Sequence, residues 1–202
     1  MQDSTSTAGG LQLNRQASAA RRGVLTVIEG CMFAGKTTAL FRLLDGYAAD
    51  AVVAFKQVID RRYRPDAIVS HGGKAMSAIT ITTAREVMPY LGPGTQAVAI
   101  DEGHFFDEGL VDVVLELAAA GIDVFVTSLD RDSWGRPFRL ADRLRALADR
   151  PIVLTAECAS CRAVADRTQR LTPIIDGDLV GGPESYAPRC QKCWSPPPEP
   201  PP

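Results

Sequence analysis

A glycine-rich stretch near the N-terminus, residues 30–37, limits the choice of fold more strongly than any other part of this sequence. It reads GCMFAGKT and matches the pattern G-x-x-x-x-G-K-[ST]. An apolar, β-forming run at 24–28 precedes it, and leucines at helical spacing follow it at Leu40, Leu43 and Leu44. Strand, glycine-rich loop and helix in this order are the context in which the motif binds phosphate. The sequence therefore predicts a P-loop that binds a nucleotide.

The residue types of this loop suit the phosphates of ATP. The glycines let successive N–H groups point inward at an anion, and the helix N-terminus adds partial positive charge. Lys36 supplies a charge for the β- and γ-phosphates, and the Thr37 hydroxyl can ligate Mg²⁺. Cys31 has no neighbouring thiol and is interpreted as a small buried apolar residue. The predicted phosphate-binding residues of the loop are Gly30, Cys31, Met32, Phe33, Ala34, Gly35, Lys36, Thr37 and Thr38.

Length and composition narrow the class of protein. The 202 residues suit one large domain or a domain with a small appendage, and 46% hydrophobic residues suffice for a core. A formal net charge of −2 shows no excess of basic residues of the kind that nucleic-acid-binding domains carry. No apolar run approaches the roughly 18 to 20 residues of a membrane span. We therefore expect neither a nucleic-acid nor a membrane partner.

Apolar runs and helical patterns alternate along the rest of the chain. Further strands are predicted at 51–56, 97–100, 123–129 and 152–155, and helices at 83–91, 110–120 and 140–148. Such alternation indicates an α/β fold in which helices cover both faces of a parallel sheet. The polar, turn-rich segment 57–74 is predicted to be irregular and functional.

Two acidic residues, Asp101 and Glu102, directly follow the apolar run 97–100. An apolar strand that ends in an acid downstream of a P-loop resembles the Walker B arrangement, in which a carboxylate holds Mg²⁺. Neighbouring side chains leave a strand end in different directions, so one acid can serve the metal while the other accepts a proton. The alternative is that both acids cap the next segment or face solvent.

Four of the five cysteines form two C-x-x-C pairs, Cys158 with Cys161 and Cys190 with Cys193, and 28 residues lie between the pairs. Two such pairs suit a tetrahedral Cys₄ zinc site, which has no open position and is therefore structural. A redox pair near a βαβ unit and a pair of disulfides are the alternatives. Few cysteines and no secreted framework predict a reducing, cytoplasmic compartment.

Composition divides the chain into four parts. Residues 1–22 are small and polar and are predicted to be a disordered tail, with a weaker resemblance to an organellar transit peptide. A P-loop kinase core is predicted at 23–156 and a zinc-binding unit at 157–194. The proline-rich tail 195–202 is expected to be extended and unpacked, so both tails should be dispensable.

The motifs together resemble those of the cytosolic-type (type II) thymidine kinases, a family with a P-loop kinase core and a small zinc-bearing lasso domain. The resemblance covers nearly everything between the two tails. The matching segments follow the family's order: GCMFAGKTT at 30–38, DRRY at 60–63, SHG at 70–72, DEGHFF at 101–106, SLDRDSWGRPF at 128–138, CASC at 158–161, TQR at 168–170 and VGGPESYAPRCQKCW at 180–194.

The resemblance implies transfer of the γ-phosphoryl group of ATP, with Mg²⁺, to the 5′-hydroxyl of thymidine or deoxyuridine. It implies that Glu102 is the general base, that Asp101 lies on the metal side, and that Asp60 and Arg62 lie near the phosphates and magnesium. It also implies a homotetramer that the triphosphate end product inhibits. The residues it assigns to the nucleoside are Met32, Phe138, Val180, Gly181, Gly182 and Tyr186.

The chain also departs from the family pattern. Ala34, Ala39 and Gly72 replace Ser, Glu and Asp, and Ser133 stands where an aromatic residue normally contacts the base, with Trp134 after it. His104 replaces the usual glutamine and is interpreted as a residue behind the site or at the surface, and His71 as a loop hydrogen-bonder. The alternatives left open are a kinase of another nucleoside, a degenerate ATP-binding interaction module, and a nucleic-acid-binding zinc ribbon fused to an ATPase core.

Overall fold

The computed structural model describes residues 21–59, 66–70, 72–173 and 181–198. In chain order the strands are β1 (Leu25–Gly30), β2 (Val52–Gln57), β3 (Ala67–Val69), β4 (Ala75–Ser77), β5 (Ile79–Ile81), β6 (Ala97–Asp101), β7 (Asp123–Ser128), β8 (Arg150–Leu154), β9 (Ala156–Glu157), β10 (Val164–Ala165), β11 (Arg167–Arg170) and β12 (Tyr186–Arg189). The α-helices are α1 (Lys36–Leu44), α2 (Leu110–Ala119) and α3 (Arg139–Leu147), and 3₁₀ helices span Ala49–Ala51, Ala84–Tyr90 and Gly103–Phe105.

Six strands form the central sheet in the order β5-β2-β6-β7-β1-β8, and every pair is parallel. On one face α1 packs Leu40, Phe41 and Leu44 against Ile28 and Phe125. On the other face α2, α3 and the 3₁₀ helix Ala84–Tyr90 cover a larger apolar cluster. Because both faces are covered, strands β1, β6 and β7 are buried along their whole length and are mostly apolar, as the sequence predicts for a parallel sheet.

The predicted strands and the helices predicted at 110–120 and 140–148 are confirmed, whereas several local features, including the unpredicted short strands β9 to β12, differ from the prediction. The segment 83–91 forms a 3₁₀ helix, with Pro89 inside it. Residues 57–74 are only partly irregular, because β3 pairs with β4 as an antiparallel hairpin. The edge strand β5, three residues long, was not predicted.

The chain after β8 forms a small unit of two two-stranded sheets, β9 with β10 and β11 with β12. Its buried centre contains Cys158, Ala165 and Cys190 in place of a larger apolar core. So little buried apolar surface does not by itself stabilise a unit of this size. Small units of this kind are often stabilised by metal ligation.

The described ends of both predicted tails contact the rest of the protein. Arg21 pairs with Asp123, and Arg22 pairs with Asp149, each through two hydrogen bonds. At the other end, the N–H of Ser195 donates to Gln169 at 2.8 Å. The proline-rich segment is therefore attached to the protein where it begins. No helix in the described part of the chain is long and apolar enough to cross a membrane.

Candidate active site

The phosphate loop joins β1 to α1 at the carboxyl edge of the sheet. Gly30 has a φ of 147°, and a Cβ there would lie 2.2 Å from the carbonyl oxygen of Leu154. Gly35, before the first turn of α1, has a φ of 83°. Both positions therefore require glycine, which explains the two glycines of the motif. Phe33 also has a left-handed φ of 66°, a conformation that costs a non-glycine residue about 1 to 2 kcal/mol.

The first turn of α1 is suited to an anion. Among the described residues, no side chain caps this helix N-terminus, where backbone N–H groups and the helix dipole favour negative charge. The buried ammonium of Lys36 donates to the carbonyl oxygens of Gly30 at 3.0 Å and Cys31 at 2.9 Å. Its charge therefore lies across the loop, with Thr37 and Thr38 beside it in the helix.

Asp101 and Glu102 lie at the end of β6, one strand away from the phosphate loop because β7 lies between β1 and β6. The Thr127 hydroxyl on β7 joins them: it donates to the Asp101 carboxylate and accepts from the Glu102 N–H at 3.1 Å. Lys56 is the register partner of Asp101 on β2 and is also buried. A carboxylate and a cation therefore share one face of the sheet at its carboxyl edge, where open α/β sheets bind their ligands.

The Glu102 backbone is left-handed, with φ 53° and ψ 49°. Such strain persists only where the surrounding structure enforces it, and it is typical of active sites. His104 Nδ1 lies 3.6 Å from the carboxylate but accepts a hydrogen bond from the N–H of Leu129 at 3.1 Å. Nδ1 therefore carries no proton, and its contact with Glu102 is not an ion pair.

An apolar pocket opens beside Glu102, and four aromatic side chains line it: Phe105, Trp134, Phe138 and Tyr186. The ring of His104 lies 4.1 Å from that of Phe105 and 4.7 Å from that of Phe138, centroid to centroid. The His104 side chain is fully buried, which excludes the surface alternative and leaves the interpretation as a residue behind the site. A pocket of several rings with few polar groups suits a planar heterocycle.

Several residues expected at the nucleoside line this pocket. Met32, Phe138, Gly181 and Tyr186 all contribute to its wall, as does the buried Ser133. The hydroxyl of Tyr186 accepts a hydrogen bond from Arg170 at 2.5 Å. Asp60, Arg62 and Val180, together with His71, lie outside the described residues.

The small C-terminal unit contacts the phosphate loop directly. The N–H of Met32 donates to the Thr168 hydroxyl at 3.1 Å, and the Cys31 thiol donates to the carbonyl oxygen of Ala165 at 3.5 Å. Burial raises the pKa of Cys31, so its thiol stays neutral and acts in packing. Thr168 also lines the pocket. Thr168 begins the TQR segment at 168–170, but nothing local in the sequence shows that β11 reaches the loop.

The four paired cysteines form one cluster. The Sγ atoms of Cys158, Cys161, Cys190 and Cys193 all lie within 4.8 Å of one another, and none is in a disulfide. Cys161 and Cys190 are 3.6 Å apart, close to the roughly 3.8 Å that tetrahedral Zn–S bonds of about 2.3 Å impose. Burial acts to raise the pKa of Cys158, but backbone hydrogen bonds from Cys190, Cys161 and Ser160 outweigh it and lower the pKa to about 6. Side-chain hydrogen bonds with Cys161 and Cys190 raise the pKa of Cys193 to about 12, so it is the close spacing of the four Sγ atoms that fits a metal.

A buried acid next to the phosphate loop, Glu29, was missed by the sequence analysis. It is 1% exposed, and neither carboxylate oxygen has a hydrogen-bond partner among the described residues. Burial raises the pKa of Glu29 to about 7, while Arg145, 3.5 Å away, lowers it in part. The sequence signal that could have identified Glu29 is a single charged residue in a strand whose other residues are mostly apolar.

Comparison with known proteins decides the family. A family model described as thymidine kinase matches residues 23–194. The chain belongs to the thymidine kinase family. A thymidine kinase from Mesoplasma florum is 40% identical over 188 residues, covering 85% of this chain and 91% of the relative. A thymidine kinase from Mycoplasma capricolum subsp. capricolum is 38% identical over 190 residues, covering 86% and 90%.

Thymidine kinase membership means that the protein is an enzyme that phosphorylates a nucleoside. Among solved structures, the large terminase of a thermophilic bacteriophage aligns over 70% of this chain and 43% of its own, at 14% identity. The TM-score of this alignment is 0.39.

Proposed function

We propose that the protein transfers the γ-phosphoryl group of ATP to the 5′-hydroxyl of thymidine or deoxyuridine. The position of Glu102 carries this proposal. Asp101 before it belongs to the edge of the sheet that bears the phosphate loop, whereas Glu102 itself lines the aromatic pocket. A carboxylate therefore stands where a phosphoryl donor and a nucleoside acceptor would meet.

On the donor side, the loop N–H groups and Lys36 bind the β- and γ-phosphates. The Thr37 hydroxyl and the Asp101 carboxylate would hold Mg²⁺, which supplies positive charge for the transferred group. By resemblance, Asp60 and Arg62 belong to the same side. Thr127 fixes the Asp101 carboxylate through its hydroxyl.

On the acceptor side, the pyrimidine lies among Met32, Phe138 and Tyr186, with Gly181 also in the pocket wall, and the family resemblance adds residues 180–182 to its contacts. The Glu102 carboxylate accepts the proton of the 5′-hydroxyl while that oxygen attacks the γ-phosphorus. The bond between the γ-phosphorus and the β–γ bridging oxygen breaks, and ADP leaves. A general base of this kind contributes about 10² to 10⁴ in rate.

We also propose that the cysteine cluster binds one structural Zn²⁺. The Sγ separations suit four tetrahedral thiolates, and the unit around them has little apolar core. Bound metal would hold β9 to β12 together and, through Thr168, the wall of the pocket.

The cell compartment, the assembly and the regulation remain proposals. A reducing, cytoplasmic compartment suits five cysteines of which none is in a disulfide. Resemblance to the family supports a homotetramer and inhibition by the triphosphate end product. Light scattering of the purified protein and inhibition by dTTP would test the last two.

A kinase of another nucleoside is the second candidate, and Ser133 favours it. This side chain is buried in the pocket wall and presents a hydroxyl where the family places a ring. Incubating the protein with Mg·ATP and a panel of nucleosides tests both candidates, with each monophosphate quantified by chromatography. Thymidine and deoxyuridine should give the highest kcat/KM. A higher kcat/KM for a purine nucleoside or for cytidine would favour the second candidate. Formation of no product at all would favour a non-catalytic ATP-binding module.

A further inference from the structure

A hydrogen bond between two distant parts of the chain lies beside the aromatic pocket. The indole Nε1 of Trp134 donates to the carbonyl oxygen of Pro198 at 3.1 Å, across 64 positions of sequence. Trp134 is one of the rings that line the pocket. Pro198 belongs to the proline-rich tail, to which no motif assigns a role.

The turn that carries Trp134 is fixed by one carboxylate. Asp132 accepts hydrogen bonds from the N–H of Trp134 at 2.9 Å and from the N–H and Nε of Arg136 at 2.8 and 2.9 Å. The guanidinium of Arg136 lies 4.8 Å from the centroid of the Trp134 ring. The backbone of the turn and one contact of the ring are therefore set within the turn itself.

The C-terminal segment 194–198 supports the same turn from outside. Gly135 has a φ of 80°, and a Cβ there would lie 3.1 Å from the Trp194 ring, so this ring packs directly on the turn. Ser195 is tied to Gln169 of β11 by a hydrogen bond of 2.8 Å. The segment thus runs from the small C-terminal unit to the indole of Trp134.

We propose that segment 194–198 positions Trp134 as a wall of the nucleoside pocket, so that the tail is part of the nucleoside-binding site. The inference rests on the proposed function, which supplies the pocket's occupant. Ser133 presents no ring, and Trp134 is the ring that this turn offers. A ring that is fixed before binding loses less conformational freedom when the nucleoside arrives, and pre-organisation of this kind strengthens binding.

Two shortened chains test the contact. A chain that ends after Ser195 lacks the acceptor of Trp134, whereas a chain that ends after Glu199 keeps the peptide carbonyl of Pro198 and is the matched control. Because the shorter chain loses one hydrogen bond, its KM for thymidine should rise about two- to tenfold. The kcat and the KM for ATP should stay within about twofold of the full chain, which also shows that the fold is intact. The control should match the full chain in all three constants.

A double-mutant cycle assigns the effect to the indole N–H. Trp134→Phe keeps a ring but has no donor, so it should raise the thymidine KM, and shortening the chain in that background should add nothing further. The proposal is overturned if shortening leaves the KM of the otherwise wild-type chain unchanged. It is also overturned if shortening raises the KM equally in the Trp134→Phe background.

Fluorescence without any nucleoside separates this inference from the proposed function. The chain has two tryptophans, so Trp134 is the only one in Trp194→Phe. Ending that variant after Ser195 should shift its emission to longer wavelength, because the indole N–H then meets water. If the full chain phosphorylates no nucleoside, the proposed function fails, and the spectra still decide the inference: a shift supports it, and identical spectra overturn it.

Discussion

Replacing Glu29 with glutamine is expected to stabilise the protein above neutral pH. Burial raises the pKa of this carboxyl to about 7 in the folded chain, from an ordinary value of 4.5. Between these values the unfolded chain has released the proton that the folded chain retains, so stability falls as pH rises through this window and levels off above it. Each pH unit in the window costs about 1.4 kcal/mol, so wild type is destabilised by about 3 kcal/mol at pH 8.

Glutamine has nearly the same shape and no proton to lose. The free energy of unfolding of Glu29→Gln should exceed that of wild type at pH 8, and this excess should be about 3 kcal/mol larger than at pH 5. The melting temperature of the variant at pH 8 should accordingly be about 6 to 12 °C higher than that of wild type. Urea unfolding at both pH values, followed by tryptophan emission in excess zinc, measures this. Comparing variants at the same pH cancels the titration of other groups, including the cysteines.

Glu116→Gln is the matched control, because its side chain is 48% exposed and pairs with Arg85 at the surface. It should change stability by less than about 1 kcal/mol at either pH. If the difference between Glu29→Gln and wild type were the same at pH 5 and pH 8, Glu29 would titrate alike in the folded and unfolded chains. That result would refute the reasoning.

Three further predictions concern the chemistry and the metal. Lys36→Ala should abolish phosphoryl transfer and keep the far-ultraviolet circular dichroism spectrum, because the ammonium lies across the loop and outside the apolar clusters; an unaltered kcat would remove it from the mechanism. Glu102→Gln should lower kcat by about 10² to 10⁴ with little change in thymidine Kd by calorimetry; lost binding with kcat retained would make Glu102 a binding residue. Cys161→Ser should reduce zinc below one equivalent per chain by elemental analysis and lower the melting temperature, whereas Cys31→Ser should keep the metal. Equal zinc in both variants would show that Cys161 is not a ligand.

The features that local sequence determines were predictable. The two loop glycines are required by backbone conformation at their own positions, and the alternation of apolar runs reports a sheet buried on both faces. Short or strained elements were not. With three residues, β5 shows no periodicity. The expected helix at 83–91 is a 3₁₀ helix with Pro89 inside it, and in an α-helix the proline ring would clash with the carbonyl group of Arg85.

The rest of the site depends on strand order, which alternation of elements does not give. Thr127 joins Asp101 and Glu102 only because β7 is inserted between β6 and β1. The hydrogen bond between Trp134 and Pro198 likewise joins two segments that are far apart in the sequence, and no sequence pattern predicts that they meet. The nucleoside residues that the motifs assign stay a prediction, and the structure places three of them, Met32, Phe138 and Tyr186, around one pocket beside Glu102.

The close approach of Gly30 to Leu154 has a consequence for how the two units work together. The carbonyl oxygen of Leu154 lies against Gly30 at the start of the phosphate loop, and only three residues separate Leu154 from Cys158. Ala165, which is buried together with Cys158 and Cys190, accepts the hydrogen bond of the Cys31 thiol. The cysteine cluster is therefore linked to the phosphate loop at two points, through Leu154 and through Ala165, so we expect a displacement of the cluster to move the loop directly.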